Sequence, residues 1–182
     1  MGYLFGLFDA LGVPENARPG LLEKLREKNA HELRRAAQAA GLDAAGADAL
    51  TGLLELSGSC EETLAKAESA CRNDRMRAAA AELRALAKTL EASGGAVRLD
   101  LSLAGEMEYY NGLVFQGYLQ GLPRPLLKGG RYDLLMQKFT PGAGAIGFAV
   151  YLDELDRLSA PTPPVQRLSL IHISEPTRLR RI

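Results

Sequence analysis

The hydrophobic pattern changes its period about half-way along the chain. In residues 1–93 apolar residues recur every three or four positions, which is typical of helices with one buried face. In the segment RMRAAAAELRALAKTLEASGG, Leu83, Leu86 and Leu90 share one face, and Gly94-Gly95 end the segment. The first half of the chain is therefore predicted to be helical.

Helix ends are marked within this half by capping residues. Asn29 followed by Glu32 forms a capping-box pattern, and Gly41 stands where a glycine commonly ends a helix. Ser59 with Glu62 repeats the capping pattern. These residues predict helices that begin after Asn29 and after Ser59.

From residue 96 onward apolar and polar residues alternate, which indicates strands with one buried face. The predicted elements are strands in AVRLDLS (96–102), GLVFQGYLQG (112–121), LLKGG (126–130) and GAIGFAV (144–150), a turn at LPRP, and a short helix in YLDELDRL. Because the helices come early and the strands late, the pattern favours an α+β fold with an antiparallel sheet.

Composition divides the chain into a helical segment at 1–93, a sheet region at 94–160, and a linker and tail at 161–182. The tail starts with the proline-rich PTPPVQ. Its segment LSLIHISEPTR, Leu168–Arg178, matches the translation of a transposase-type sequencing adapter, so we expect residues 168–182 to be non-native. The alternative is a natural tail that happens to match. On the adapter interpretation, the native chain continues beyond Arg167.

The charge balance argues against several classes of partner. Lys and Arg total 22, as do Asp and Glu, so the net charge is zero and gives no electrostatic case for binding nucleic acid or a membrane surface. Cys60 and Cys71 lie in a helical stretch without a CxxC motif, and His31 is isolated on a polar helix. We therefore expect reduced thiols of a cytosolic protein, a solvated histidine, and neither metal nor cofactor.

Three segments carry candidate chemistry: EMEYYNGLVFQGY (106–118), LKGGRYDLL (127–135) and GAIGFAVYLDEL (144–155). Alone, each has an ordinary structural explanation as strand tyrosines, a β-bulge or tightly packed glycines. In this order and spacing they resemble the histidyl-tRNA synthetase family of class II synthetases, most strongly over residues 96–158. That family has a paired tyrosine before a Val-Phe-Glu strand, a Gly-Gly-Arg-Tyr-Asp motif and a third class motif beginning Gly-Phe-Ala.

The resemblance implies part of a class II synthetase-like antiparallel sheet, with residues 1–93 as a helical segment and insertion subdomain. Since the family's first and second motifs are absent, the chain is expected to be cut short at its front. The resemblance also implies a histidine site with two groups of residues. Its expected ligand-binding residues are Tyr109, Tyr110, Gly129, Gly130 and Tyr132, and its expected supporting residues are Arg131, Gly147, Phe148 and Ala149.

The resemblance gives these residues different tasks. The glycines would let the ligand lie against the strand backbone. The hydroxyls of Tyr110 and Tyr132 would hydrogen-bond the imidazole or amino group of histidine. Arg131 is expected to order the turn rather than to touch the ligand.

Three departures from the synthetase pattern predict that amino-acid adenylation is lost. Gly105 stands at the position of the catalytic arginine and offers no charge. Glu154 stands at the position of the arginine that contacts ATP, where an anion repels the triphosphate. Tyr151 replaces the second glycine of the third motif and would crowd the nucleotide.

The pattern is more similar to a non-catalytic branch of this family, the regulatory subunits of short-form ATP phosphoribosyltransferases. Gln116-Gly117-Tyr118 and Asp153 fit that branch better than the synthetases. This similarity implies a cytoplasmic, non-enzymatic subunit that forms a hetero-oligomer with the catalytic phosphoribosyltransferase in histidine biosynthesis. L-histidine would be its feedback effector, without a cofactor.

Two alternatives remain open at this point. The chain could be a fragment of a true histidyl-tRNA synthetase, against which Gly105 and Glu154 argue. It could also be another synthetase-derived module, such as a kinase-linked sensor. That module would need a basic surface for tRNA, which the zero net charge does not suggest.

Overall fold

The computed structural model describes residues 1–94, 96–103, 110 and 112–157. The first half contains α1 (Gly2–Ala10), α2 (Arg18–Arg26), α3 (Ala30–Ala39), α4 (Ala44–Thr51), β1 (Ser57–Ser59), α5 (Cys60–Ser69) and α6 (Asp74–Ala92), with 3-10 turns at Glu15–Ala17 and Gly52–Glu55. The second half contains β2 (Arg98–Asp100), β3 (Val114–Gly117), β4 (Leu127–Arg131), α7 (Asp133–Gln137), β5 (Ile146–Val150) and α8 (Leu152–Asp156). The predicted α+β arrangement is confirmed.

The main hydrophobic core lies among the helices of the first half. α1 packs along α6, and four of its apolar side chains are buried: Tyr3, Leu4, Leu7 and Phe8, the last at 0% exposure. The two helices lie so close that a Cβ added at Gly6 would be 2.8 Å from Cγ of Met76. Each fully buried Leu or Phe contributes about 1.5–3 kcal/mol, so this core is the main source of stability in the helical segment.

Helix capping follows the sequence closely at α3 and less closely at α5. The side chain of Asn29 accepts a hydrogen bond from the Glu32 amide at 3.1 Å, and Gly41 adopts φ +91° after the helix. Ser59 is the N-cap residue of α5, as predicted, but its side chain makes no capping hydrogen bond. The predicted helix start is therefore confirmed, and the predicted capping bond at Ser59 is wrong.

The buried face of α6 differs from the predicted row of leucines. Met76, Ala80 and Ala87 are buried, whereas Leu90 is 41% exposed. Leu83 is only partly buried and packs against the small second core of Cys60, Leu64 and Ala87. Small side chains occupy the buried stripe where α1 approaches α6 closely, and Leu90 lies in the last turn of the helix.

A short two-stranded sheet joins the helices to the second half of the chain. β1 pairs antiparallel with β2, from Ser57 opposite Asp100 to Ser59 opposite Arg98. Asp100 also accepts hydrogen bonds from Nζ of Lys28 at 2.7 Å and from the amide and hydroxyl of Ser102. Burial alone would raise the pKa of Asp100, but the hydrogen bonds from Lys28 and Ser102 outweigh it and hold the pKa below its ordinary value of 3.8.

The second sheet has the strand order β3-β4-β5, and both of its pairings are antiparallel. β3 pairs with β4 from Val114 opposite Gly130 to Gly117 opposite Leu127. β4 pairs with β5 from Leu127 opposite Val150 to Arg131 opposite Ile146. The sequence predicted all three strands and the direction in which LLKGG returns.

One face of this sheet carries large apolar side chains in contact with solvent. Ile146 and Phe148 on β5 are 62% and 67% exposed, and Val150 on the same face is 43% exposed. β5 is an edge strand in the part of the chain that the structure describes. An exposed apolar edge strand favours association between molecules.

Across the residues that the structure describes, no helix combines the length and the apolar character needed to cross a membrane.

Replacing Asp100 with Asn should lower the free energy of unfolding by about 1–2 kcal/mol at pH 7, because the ion pair with Lys28 is lost and the bonds to Ser102 weaken. Since folding lowers the pKa of Asp100, its stabilising effect is present above the pKa of the unfolded chain. That effect disappears as the pH falls through the folded-state pKa, below 3.8. Urea unfolding of a full-length protein that contains this chain, at pH 7 and pH 3, tests this. The exposed Asp156→Asn is the control, and an equal loss for Asp100→Asn at both pH values would contradict it.

Residues 1–167 alone should associate or be only partly ordered, because the exposed face of β5 has a row of large apolar side chains. Phe148→Lys should increase the monomer fraction in sedimentation velocity. Leu90→Lys, at a residue exposed on α6 away from the sheet, should not. A sharp two-state melt from a monomeric wild-type chain would count against this expectation.

Candidate functional site

The side chains of the three-stranded sheet separate onto two faces. Because side chains alternate along a strand, the register puts cross-strand partners on the same face. We call one the tyrosine face, because Tyr110 and Tyr132 lie against it; its strand residues are Val114, Gln116, Lys128, Gly130, Gly147 and Ala149. We call the other the phenylalanine face; its strand residues include Phe115, Leu127, Gly129, Phe148 and Val150.

The centre of the tyrosine face is a pair of glycines. Gly130 and Gly147 are directly opposite each other across β4 and β5. A Cβ on Gly130 would lie 2.6 Å from Cδ1 of Tyr110, and a Cβ on Gly147 would lie 2.9 Å from the hydroxyl oxygen of Tyr132. The two tyrosine rings are 6.5 Å apart between centroids and inclined at 56°. The two glycines thus form a floor without side chains, and the two phenol rings lie directly on it.

The structure brings together some of the predicted site residues and separates others. Tyr110, Gly130, Tyr132, Gly147 and Ala149 share the tyrosine face. Gly129 faces the other way, where a Cβ would lie 2.4 Å from Cζ of Phe115, and Phe148 is on that same opposite face.

The period of two explains this separation, since consecutive residues of a strand cannot point to one side. Gly129 therefore lets Phe115 pack against the strand, while Gly130 does the same for Tyr110. Tyr109 and Gly105, which the sequence analysis also named, lie outside the described residues.

Arg131 is held by acidic partners. Its Nε is 2.6 Å from Oδ2 of Asp133, and its Nη1 is 3.2 Å from Oε1 of Glu82 on α6. Asp133 in turn accepts a hydrogen bond from the amide of Ala145, just before β5, at 3.0 Å. These bonds agree with the expectation that Arg131 orders the turn, and they join the sheet to the long helix α6. Asp133 was not among the predicted site residues, although its place in GGRYD was a signal.

Glu154 is unusual because it is a nearly fully buried carboxylate. It lies in α8 with 2% exposure, and its Oε2 is 3.3 Å from Nη1 of Arg157. In the described residues this oxygen has no hydrogen-bond partner. Tyr151, just before α8, is 38% exposed. At this position the chain therefore provides a buried carboxyl group rather than a cationic side chain.

The polar end of the tyrosine face includes Gln116, which was noted in the sequence only as part of the family resemblance. The hydroxyl of Tyr118 donates a hydrogen bond to Oε1 of Gln116 at 2.7 Å. Gln116 is opposite Lys128 across β3 and β4.

Away from the sheet, Cys60 and Cys71 are free thiols whose pKa values are raised by burial, and His31 is exposed. Across the described ranges, no three His, Cys, Asp or Glu residues are grouped so that they could hold a metal ion.

The sequence profile of the histidyl-tRNA synthetase family matches residues 2–155, which includes both the helices and the sheet. The chain belongs to the histidyl-tRNA synthetase family. This membership agrees with the antiparallel sheet and with the position of the two tyrosines beside the glycine floor.

Individual members of this family differ in their names. An ATP phosphoribosyltransferase regulatory subunit from Shouchella clausii is 40% identical over 159 residues, covering 85% of this chain and 40% of that protein. A crystal structure described as an ATP phosphoribosyltransferase regulatory subunit/histidyl-tRNA synthetase from Bacillus halodurans superposes with a TM-score of 0.77 at 34% identity, covering 87% of this chain and 42% of that one. The chain thus spans about two fifths of the length of these relatives.

A second solved structure is named as a histidine–tRNA ligase subunit and not as a regulatory subunit. The crystal structure of a histidine–tRNA ligase subunit from Alicyclobacillus acidocaldarius superposes with a TM-score of 0.67 at 31% identity. It covers 86% of this chain and 52% of that one. Both structures confirm the class II synthetase-like fold.

Gly130→Ala should destabilise the chain by about 1–3 kcal/mol, because the added methyl group would have to displace the ring of Tyr110. Gly20→Ala is the matched control. It lies in α2 with no atom within 4 Å of the added Cβ and should be neutral or stabilising. Urea unfolding of both variants of a full-length protein that contains this chain gives the comparison, and equal stability of Gly130→Ala and wild type would contradict the close packing of Tyr110.

Proposed function

We propose that this chain is part of a non-catalytic regulatory subunit of ATP phosphoribosyltransferase, and that it binds L-histidine on the tyrosine face. The observation that carries the proposal is the Gly130–Gly147 floor beneath Tyr110 and Tyr132. Relatives named as regulatory subunits, at up to 40% identity, support the same function.

The chemistry of this face suits binding without reaction. The glycines let Tyr110 and Tyr132 lie close to the strand backbone, and the two phenol groups can donate or accept hydrogen bonds with the nitrogens of an imidazole. In GGRYD, Arg131 is engaged by Glu82 and Asp133 rather than extended over the glycines. The residues of this face thus provide recognition of a small polar ring, and no nucleophile is required.

Histidine would act by shifting the equilibrium between active and inhibited forms of a cytoplasmic hetero-oligomer. This hetero-oligomer would contain the regulatory subunit and the catalytic phosphoribosyltransferase. A ligand does this only if its affinity differs between the two states. Histidine is the end product of the pathway that this enzyme would open, so its binding would give feedback control.

The second candidate is a fragment of an active histidyl-tRNA synthetase, which the name of the Alicyclobacillus structure favours. Glu154 argues against it, because the carboxylate is buried at the position where the synthetase pattern has a cation for ATP. Gly105, where that pattern has the catalytic arginine, argues in the same direction on the sequence alone.

Tyr110→Phe or Tyr132→Phe should weaken histidine inhibition of the assembled phosphoribosyltransferase about tenfold to a hundredfold, because each removes one hydroxyl that bonds the ligand. The uninhibited rate should stay nearly unchanged. The measurement is a histidine titration of the reaction rate for the full-length subunit with its catalytic partner. Tyr3→Phe is the control, since the Tyr3 hydroxyl donates to the carbonyl of Ala67 in the helical core, at 2.8 Å. Unchanged inhibition curves for both test variants would place the histidine site elsewhere.

A full-length protein containing this chain should show no histidine-dependent exchange of pyrophosphate into ATP, because the cations that stabilise adenylation are replaced. Pyrophosphate exchange above the background without histidine would favour the synthetase alternative. A verified histidyl-tRNA synthetase assayed in parallel provides the positive control.

A further inference from the structure

A cavity of about 420 Å³ lies in the helical segment, where α1, the end of α4 and the connection between α5 and α6 meet. Its volume falls within the range of about 300–1,000 Å³ that is typical of small-molecule sites. None of the residues that line it belongs to the tyrosine face. The cavity is therefore a candidate site that the proposed histidine function does not use.

Most of the walls of this cavity are apolar. Tyr3 of α1 and Met76 of α6 line it with side chains that are 3% and 1% exposed. Ala49 of α4 and Gly52 and Leu53 of the following 3-10 turn also line it. A Cβ added at Gly52 would have no atom of the described chain within 4 Å. Small residues thus keep the space open, and its walls suit an apolar group that leaves water.

The charged residue among those that line the cavity is Arg72, in the connection between α5 and α6. Arg72 is exposed, and its guanidinium forms no ion pair with any residue that the structure describes. Two nearby arginines differ in this respect, since Arg75 binds Asp9 and Arg77 binds Asp74, each at 2.6 Å. Because a guanidinium has a planar fork of donors that matches a carboxylate, Arg72 can accept an anionic partner.

The other polar groups beside Arg72 are turned toward the protein. The hydroxyl of Tyr3 and the thiol of Cys71 both donate to the carbonyl oxygen of Ala67, at 2.8 Å and 3.3 Å. Burial and Cys71 raise the pKa of Tyr3 to about 12, and the positive charge of Arg72 opposes this shift. The guanidinium therefore lies near enough to the phenol to act on it, and it is the donor that a ligand can use.

We propose that this cavity binds an amphipathic monocarboxylate, with the apolar chain among α1, α4 and α6 and the carboxylate on the guanidinium of Arg72. Removal of the apolar chain from water would supply most of the affinity. The charge-assisted pair with Arg72 would select a carboxylate over a neutral analogue with the same chain.

The test uses octanoate and 1-octanol as probes, because they share an alkyl chain and differ in charge. In isothermal titration calorimetry, a full-length protein that contains this chain should bind octanoate at least fivefold more tightly than 1-octanol. Arg72→Met should weaken octanoate binding about fivefold or more and leave 1-octanol binding within twofold. Arg72→Lys, which keeps the charge, should retain part of the preference. Arg26→Met, at an exposed arginine of α2 outside the cavity, is the matched control and should bind both probes as wild type does.

Two further measurements locate the alkyl chain. Ala49→Leu would fill part of the cavity and should weaken the binding of both probes about tenfold. Ala45→Leu, at an exposed position of α4 outside the cavity, should not. Octanoate should also slow the alkylation of Cys71, which lines the cavity, and leave that of Cys60 unchanged, as followed by mass spectrometry of the peptides. Circular dichroism of each variant establishes that the fold is kept.

Each contrary result overturns a stated part of the proposal. If octanoate binds and Arg72→Met keeps the full preference for it, the role of Arg72 is wrong. If octanoate binds equally well to Ala49→Leu and does not protect Cys71, the acid binds elsewhere and the cavity is not its site. If neither probe binds the full-length protein, the proposal is wrong as a whole. The histidine titration of the assembled enzyme is a separate measurement, so none of these results decides the proposed function.

Discussion

Close packing against both faces of β4 is the contact on which the sheet and the candidate site depend. Phe115 lies against Gly129 on one face, and Tyr110 lies against Gly130 on the other. Any Cβ at either position would approach a ring to within 2.4–2.7 Å. The strand can be covered on both sides only because two consecutive residues have no side chain, and this fixes where Tyr110 lies relative to Tyr132.

The short GGRYD motif therefore combines recognition and support. Its first glycine serves packing, its second glycine and its tyrosine form the candidate site, and its charged residues bind the surrounding structure. Through Asp133 the motif holds the segment before β5, and through Arg131 it reaches Glu82 on α6. A histidine on the tyrosine face would thus lie beside Gly130 and Tyr132, the two sequence neighbours of Arg131, which forms an ion pair with the helical segment.

Sequence reasoning succeeded where the determinants are local. The Asn29 cap, the end of α3 at Gly41 and the alternation in β3, β4 and β5 can each be identified within a few residues. It failed where distant residues decide the structure. β1 consists of Ser-Gly-Ser and becomes a strand only because β2 pairs with it, and Leu90 is 41% exposed although its spacing puts it on the predicted buried face. For the candidate site, the motif predicted the residues, but only the sheet register separated Gly129 and Phe148 from Gly130 and Gly147.

The pairing of β1 with β2 has a consequence for the order of folding. It joins residues 57–59 to residues 98–100 and so closes a loop that contains α5 and α6. The contacts between those two helices are local in sequence and can form early, whereas loop closure must first overcome a larger loss of chain entropy. The pairing of β1 with β2 should therefore form after the α5–α6 hairpin. The second sheet, which follows β2 along the chain, is then positioned by a contact made late in folding.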